Sequence, residues 1–375
     1  MADSHLGFSS YSRVDKNGCN LVEEMIYGGF EHAIDEIIRL RPDAVVHAGD
    51  VFHHVRPRIK PMYIFKRSLE RLMGEGIPVI IISGNHDAPK GFTATSPFYI
   101  YEGMKGISIA HKYQYERFEI GDHHFHCIPF CLDPSDYANE FSKIERSGRD
   151  VLVMHGLVEA LRNKKLRTVG EHELGDSLLK REFDYIALGH YHSQLRISEN
   201  TWYSGSIEYF NFGESSDTKG MLSVDLETGK AEQIKVRPKY MIDHPSVDCT
   251  GLSSEEIAET LLELCDKDEI RDKMVRISLK NVNRAAYRNL DQARLNRLGA
   301  PAICLQIKKD FSDEAQKSDE PIDRFRLHEE FREFLEDEAS RDQIPRAIKD
   351  EVILYGTDLI KKAVAARNTE TLSAP

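Results

Sequence analysis

The residues of this chain with the clearest capacity for chemistry are aspartates, histidines and one asparagine, most of them at the ends of short apolar runs. In order they are Asp3-x-His5, Gly49-Asp50-x-x-His53, Gly84-Asn85-His86-Asp87, the single His155, and Gly189-His190-x-His192. Carboxylate, amide and imidazole donors together suit a divalent ion such as manganese, iron or zinc. Asp3, His5, Asp50, Asn85, His155, His190 and His192 are too many for one tetrahedral site. They fit two ions ~3.5–4 Å apart that share a carboxylate, and Asp50, after an apolar strand and a glycine turn, is the natural bridge. Such a pair orients a phosphodiester, polarises its oxygens and makes hydroxide from water. Each motif alone is weak. A histidine in an apolar strand is ordinarily a satisfied core residue, and Gly-Asn-His-Asp can be a polar turn. The joint order carries the reading, and fourteen of the sixteen histidines fall before residue 200.

The elements that must position these groups are legible as alternating patterns. Asp43–Asp50, Ile77–Asp87, Val151–His155 and Asp184–His190 read as buried strands running into turns. Helical patterns over Leu21–Leu40 and Pro61–Met73 precede the first two. Strands alternating with helices predict an α/β layered domain, and strand ends in such folds point into the ligand crevice. Tyr113–Phe130 and Tyr203–Val236 alternate apolar and polar residues, as antiparallel strands do. A mixed two-sheet core over 1–238 is therefore expected.

After Pro238 a small α+β domain over 239–309 is expected. It has a helix at Leu252–Leu264 that starts near Ser253 or Ser254, and strands at Met274–Leu279 and Ala302–Ile307. Lys309–Ile322 reads as an acidic linker (310–322 as a domain boundary). Two helical patterns, Arg324–Asp337 and Ile344–Ala366, then form a tail over 323–367. So short a tail buries little by itself, and its apolar face either takes a partner or packs back on the chain.

Composition narrows the class. At 41% hydrophobic residues the chain builds cores, and no apolar run approaches the ~20 residues of a membrane span. The first ten residues lack a secretory pattern. The six cysteines form no CxxC pair and read as reduced thiols of a cytoplasmic protein. A net charge of -12 excludes a uniformly basic nucleic-acid coat, yet Arg271–Ala300 holds eight basic and two acidic residues. That stretch is either a local phosphate-contacting surface or a solvated face. His123-His-Phe-His-Cys127 reads as an alternating strand with His124 and His126 on one face, and Asp133–Asp136 as a turn and nothing more.

The ordered motifs resemble the calcineurin-like metallophosphoesterase superfamily. Within it they are most similar to the SbcD branch, the nuclease subunit of double-strand-break repair complexes with archaeal and eukaryotic counterparts. The closer likeness rests on Ala2-Asp-Ser-His-Leu-Gly7, Gly49-Asp-Val-Phe-His53, Gly84-Asn-His-Asp87, Leu188-Gly-His-Tyr-His192 and Tyr203-Ser-Gly-Ser-Ile-Glu208, and covers residues 1–240. It implies an α/β/β/α sandwich with a capping domain that helps hold DNA, and a helical tail. It implies two ions, most simply manganese. Asp3, His5, Asp50 and His192 would hold one, and Asp50, Asn85, His155 and His190 the other. His86 would assist the leaving oxygen and His53 would face the phosphate, the alternative for His53 being a surface turn beside His54. Asp87 is expected either to support the ligands from behind or to be a turn carboxylate, and not to catalyse.

The family also implies 3′-to-5′ exonuclease and single-strand endonuclease activity on DNA ends. Its nucleoid-associated complex holds the nuclease as a homodimer in a heterotetramer, with tail helices on an SbcC-type coiled-coil ABC ATPase. The rivals are a small-substrate phosphodiesterase and a catalytically weak DNA-end-binding scaffold. Family members carry an apolar strand before Asp-x-His. Only Met1 and Ala2 stand there in this sequence, which would leave Asp3 and His5 poorly anchored; either the true start lies further upstream, the favoured reading, or the chain holds the first ion weakly.

Overall fold

The computed structural model describes residues 1–11, 13–90, 95–158, 173–174, 183–236, 238–312 and 352–359. They fall into two compact units, the first comprising Met1–Pro245, Leu261–Ile277 and Asp291–Ile307.

Chain order explains the layers of the first unit. Helix α1 (Leu21–Leu40) is capped by Asn20, whose side chain accepts from the Val22 and Glu23 amides. It leads into β1 (Val45–Ala48), α2 (Ile59–Gly74), β2 (Val79–Ile82) and β3 (Ile107–Ala110). These three strands pair in parallel in the order β1-β2-β3. A second series follows: β4 (Glu116–Ile120), β5 (His123–Ile128), α3 (Pro134–Ser142), β6 (Asp150–His155), the short β7 (Leu157–Val158) and β8 (Glu173–Leu174), β9 (Tyr185–Gly189), β10 (Leu195–Arg196) and β11 (Thr201–Tyr203). Six of them form a mixed sheet ordered β10-β11-β9-β6-β5-β4.

Successive strand residues face opposite sides, and the core records this. In β2, Val79 and Ile81 pack with α1 and α2 around Phe30, Phe65 and Leu69, whereas Ile80 and Ile82 face the other sheet. In β6, Val151 and Val153 meet them between the sheets, while Leu152 and Met154 turn outward to Tyr137 and Phe141 of α3. The expected two-sheet α/β core is therefore present. Tyr203–Val236 contains the antiparallel hairpin β12 (Gly220–Asp225) and β13 (Lys230–Lys235). One expectation is corrected at α3: Asp133 is not merely a turn residue but the cap of this helix, accepting from the Ser135 amide.

The chain start runs parallel to the end of β1. Met1 donates to the Val46 carbonyl and accepts from Ala48; Asp3, His5 and Leu6 donate to Gly49, Asp50 and Val51. The expectation that Asp3 and His5 would be poorly anchored is thus overturned, because their amides are bound into the β1 edge. Beside this run lies a cavity of about 1050 Å³ lined by Val45, Val46, Phe125, Tyr185, Trp202 and Val224 among others.

Further on, β14 (Met241–Asp243) pairs with the first residues of β16 (Met274–Val282) within this unit, and Arg276 makes a two-pronged bond to Asp243. That contact commits one cation of the basic stretch to the protein itself. The second unit includes β15 (Val247–Asp248), which pairs with Leu279 and Lys280 of β16. It also holds the start of α4 (Ser254–Leu264), where Ser253 and Glu256 form a reciprocal cap. β17 (Cys304–Phe311) continues through the expected first linker residues, Lys309 and Asp310. The predicted helix Arg324–Asp337 lies outside the described residues, as does most of Ile344–Ala366. Residues 352–359 of the latter are helical.

His47 of β1 is buried, with Nε2 2.7 Å from Ser4 Oγ. Burial, aided by the nearby Met1 ammonium, lowers its pKa to about 3. The unfolded chain then binds one more proton than the folded chain between that value and the ordinary histidine value of 6.5. Stability from this residue is present above 6.5 and lost as pH falls through the window. Relative to His47→Gln, the parent should lose up to about 1.4 kcal/mol per pH unit below 6.5. Urea denaturation of both proteins in chelator between pH 7 and 5 checks it; parallel curves would contradict it.

Candidate metal centre

The parallel strands deliver their carboxyl ends to one place. Asp50 follows β1, Asn85 follows β2, His155 ends β6, and His190 and His192 follow β9; the run parallel to β1 adds Asp3 and His5. His155 sits opposite Gly189 in the β6–β9 register. All seven predicted ligands are brought together. Among the described residues, three groupings have donor atoms within 4.8 Å of one another: Asp3 with His5 and His192, Asp3 with Asp50 and His155, and His5 with His53 and His86.

Backbone strain accompanies this convergence. Asp3, His5, Asp50 and His190 all have positive φ, at 52°, 42°, 54° and 101°. Such conformations cost about 1–3 kcal/mol each for residues other than glycine. They persist because amide bonds hold them: Asp3 and His5 through β1, and His190 through its amide on both Asp3 oxygens at 3.0 and 3.1 Å. Two motif glycines are required by close approach. A Cβ on Gly49 would lie 2.3 Å from His155 Nδ1, and one on Gly84 would lie 2.2 Å from Asp50 Oδ1. Asp87 supports the loops, as expected. It is buried and accepts from the amides of Val51, Phe52 and Gly84, tying the β1 and β2 loops together.

The donor set fits divalent cations. His155 Nδ1 donates to the Ala48 carbonyl at 2.8 Å, so Nε2 is aimed at Asn85 Oδ1 (3.0 Å) and Asp50 Oδ2 (3.4 Å). His190 Nδ1 is 2.9 Å from the same Asn85 oxygen. His5 Nε2 and His192 Nε2 face each other at 3.1 Å. Lone pairs converging in this way need a cation or proton between them. The charges respond accordingly. Burial opposes ionisation of Asp50, yet the His155 charge and hydrogen bond hold its carboxyl well below the usual range. Burial likewise opposes charge on His155, but Asp50 outweighs it and raises the group to about 9. Asp3 is raised by burial, and His5 is held well below the usual imidazole value by the same cause.

His86 and His53 stand beside this cluster, their rings nearly parallel and 4.9 Å apart. His86 Nδ1 donates to the His53 carbonyl at 3.1 Å, which leaves Nε2 as the ring atom available for chemistry. His53 is partly buried, and burial with the adjacent His86 and His54 lowers it to about 4. A cavity of about 610 Å³ opens here, lined by His53, His54, Asn85, His86, Arg56 and Lys90 among others. The two cations were not singled out from the sequence, because lone basic residues in loops carry no spacing signal. Nor were Phe8 and Phe210, whose rings lie 5.1 Å apart and edge against His53 and His192 respectively. The histidine tract of β5 lies elsewhere: His126 is buried between Tyr115 and Asp150, 2.9 Å from the carboxylate, and belongs to none of the metal-type groupings.

Residues 1–212 match the calcineurin-like phosphoesterase family, a span that contains every candidate ligand. The chain belongs to that family. This phosphoesterase is similar to the DNA double-strand break repair protein Mre11 of Methanococcus maripaludis, at 29% identity over 65% of this chain and 68% of that one. It is 27% identical to the protein of the same name from Sulfurisphaera tokodaii, over 86% of this chain and 83% of that one. It is 26% identical to the SbcD component of the nuclease SbcCD of Staphylococcus saprophyticus, over 61% and 65%. Family and site chemistry agree on a metal-dependent hydrolase of phosphoesters. No helix among the described residues is long and apolar enough to cross a membrane.

His155 Nε2 lies 3.0 Å from Asn85 Oδ1 within the cluster, so Asn85→Ala or His155→Ala should lower the divalent metal retained after dialysis. Elemental analysis of the purified proteins measures this; unchanged stoichiometry would remove both residues from the ligand set.

Proposed function

We propose that this phosphoesterase is a DNA nuclease subunit of a double-strand-break repair complex, using two manganese ions held in the Asp3–His192 cluster. The observation that carries the reading is the pair His53 and His86 at the mouth of a seven-donor centre, in a chain similar to proteins named for double-strand-break repair and for a nuclease. In this reading Asp3, His5, Asp50 and His192 hold one ion, and Asp50, Asn85, His155 and His190 the other. Bound there, the ions supply Lewis acidity to the phosphate and lower the pKa of water.

The protein's own groups do the rest. His86, fixed through Nδ1, presents Nε2 to the leaving oxygen and supplies its proton as a general acid. His53 is neutral at working pH and hydrogen-bonds a phosphate oxygen. Arg56 and Lys90, at the same opening, meet neighbouring phosphates of the strand.

Digestion from 3′ ends and single-strand cleavage belong to this proposal. So does the division into a catalytic domain (1–238), a DNA-contacting cap (239–309), a linker (310–322) and an ATPase-binding tail (323–367). The helix at 352–359 supports a docking role, since Leu354, Tyr355 and Leu359 are exposed on it. The proposed partner is an SbcC-type coiled-coil ABC ATPase, and the nuclease is proposed to act as a homodimer in a nucleoid-associated complex. The rival reading of a catalytically weak scaffold drew on loose Asp3 and His5. The amide bonds that anchor both remove that ground.

End-labelled duplex DNA with manganese should be degraded by the parent, and at least ~100-fold more slowly by His86→Ala. Equal rates, or no release by the parent, would overturn the nuclease reading. The double variant Arg56→Ala with Lys90→Ala should weaken duplex binding and reduce the slope of log affinity against log salt by about 2, near 0.9 for each phosphate no longer neutralised. A fluorescence-anisotropy titration at several salt concentrations measures it.

A further inference from the structure

His192 is the candidate ligand with the most elaborate support behind it. Its Nε2 faces His5 Nε2, and its Nδ1 lies 3.0 Å from Glu214 Oε1. A carboxylate only accepts, so Nδ1 carries a hydrogen, and Nε2 is the ring atom turned towards the metal centre. Glu214 is itself held from several sides. Its Oε1 also accepts from Asn211 Nδ2 at 2.6 Å, and its Oε2 accepts from the Phe210 amide at 3.1 Å and lies 2.8 Å from Lys219 Nζ.

Lys219 is only 2% exposed, an uncommon condition for a lysine. Its ammonium donates to the His192 carbonyl and to Ser206 Oγ, each at 3.0 Å, and lies 3.3 Å from Asp217 Oδ2. One amine thus grips both the main chain of His192 and the carboxylate on its ring. Asp217 also accepts from Ser193 Oγ at 2.6 Å, which closes the network on the residue after His192.

From this geometry we infer that Glu214 and Lys219 are positioning residues for one of the two metal ions: Glu214 sets the tautomer and ring plane of His192, and Lys219 locks that carboxylate to the ligand's own backbone. The inference rests on the metal-centre reading above. It assigns the pair to the ion held through His5 and His192, not to the ion held through Asn85, His155 and His190. A carboxylate behind a ligating imidazole typically changes metal affinity 10–100-fold. Both carboxylate oxygens accept here, and glutamine keeps only one of them while turning an NH2 group towards donors, so it should recover only part of what alanine loses.

The experiment is calorimetric titration of the metal-free full chain with manganese alone, on the parent, Glu214→Gln, Glu214→Ala and Lys219→Met. The parent should bind two ions. Glu214→Ala should lose about 10–100-fold in one of the two steps and little in the other. Lys219→Met should lose less in the same step, and Glu214→Gln should fall between Glu214→Ala and the parent in that step. Parent-like binding by Glu214→Ala, or equal losses in both steps, would overturn the inference while leaving the metal centre intact. A parent that binds no metal would overturn the metal-centre reading itself.

Where Glu214→Ala does not fold, imidazole nitrogen NMR of the metal-free parent, at a pH high enough to leave the ring uncharged, decides the matter without any change at Glu214. The signal missing from His192→Asn should be that of the Nδ1–H tautomer, and an Nε2–H tautomer would overturn the proposal.

Discussion

Everything in the first unit answers to one electrostatic constraint: donor atoms that repel one another are held together in a space from which water is largely excluded. Asp3, Asp50 and Asp87 are buried carboxylates near one point, and imidazole and amide lone pairs face inward among them. Like charges at such separations cost several kcal/mol at low dielectric unless a cation lies between them. The fold meets the constraint with backbone amides. Those of Val51, Phe52 and Gly84 hold Asp87, that of His86 holds Asp50, and that of His190 holds Asp3. Each amide hydrogen bond to a carboxylate is stronger than a neutral one, which is how the arrangement is held in place.

The two-sheet architecture makes the convergence possible. β1 and β2 approach from one sheet, and β6 and β9 from the other, with the apolar layer of Ile80, Ile82, Val151 and Val153 setting their separation. Loops at the strand ends then need only a few residues to bring ligands into reach. Left-handed backbone at Asp3, His5, Asp50 and His190 turns the chain sharply so that side chains point back over the strand ends. Strain is concentrated where the chemistry is, and the packed layers beneath it supply the rigidity that sustains it.

Around this rigid centre the supporting groups are arranged by role. His155 and His86 are both oriented by main-chain carbonyls, Ala48 and His53 respectively, which fixes which ring nitrogen faces the reaction. His192 instead depends on a side chain, Glu214, drawn from a 3₁₀ turn 22 residues further along the chain. The mouth of the centre carries Arg56 and Lys90 although the chain as a whole has a net charge of -12. Local charge and overall charge therefore point in opposite directions, and the local one is what a phosphoester entering the site meets.

The sequence by itself determined the donor types, their order and the strands that end in them, because strands and ligands are written locally: an apolar run, a glycine, then Asp, Asn or His. It also determined the α/β class, through the alternation of Leu21–Leu40, Val45–Ala48 and Val79–Ile82. What it left open was set by pairing between distant segments. The anchoring of Asp3 and His5 was misjudged from sequence, since it depends on pairing with residues some 46 positions away, such as Leu6 with Phe52. Asp133 became a helix cap because α3 starts after it. Glu214, Lys219, Arg56 and Lys90 carried no pattern at all. A carboxylate or an ammonium acquires its meaning from what it is folded against, and only the tertiary structure places Lys219 on the carbonyl of His192.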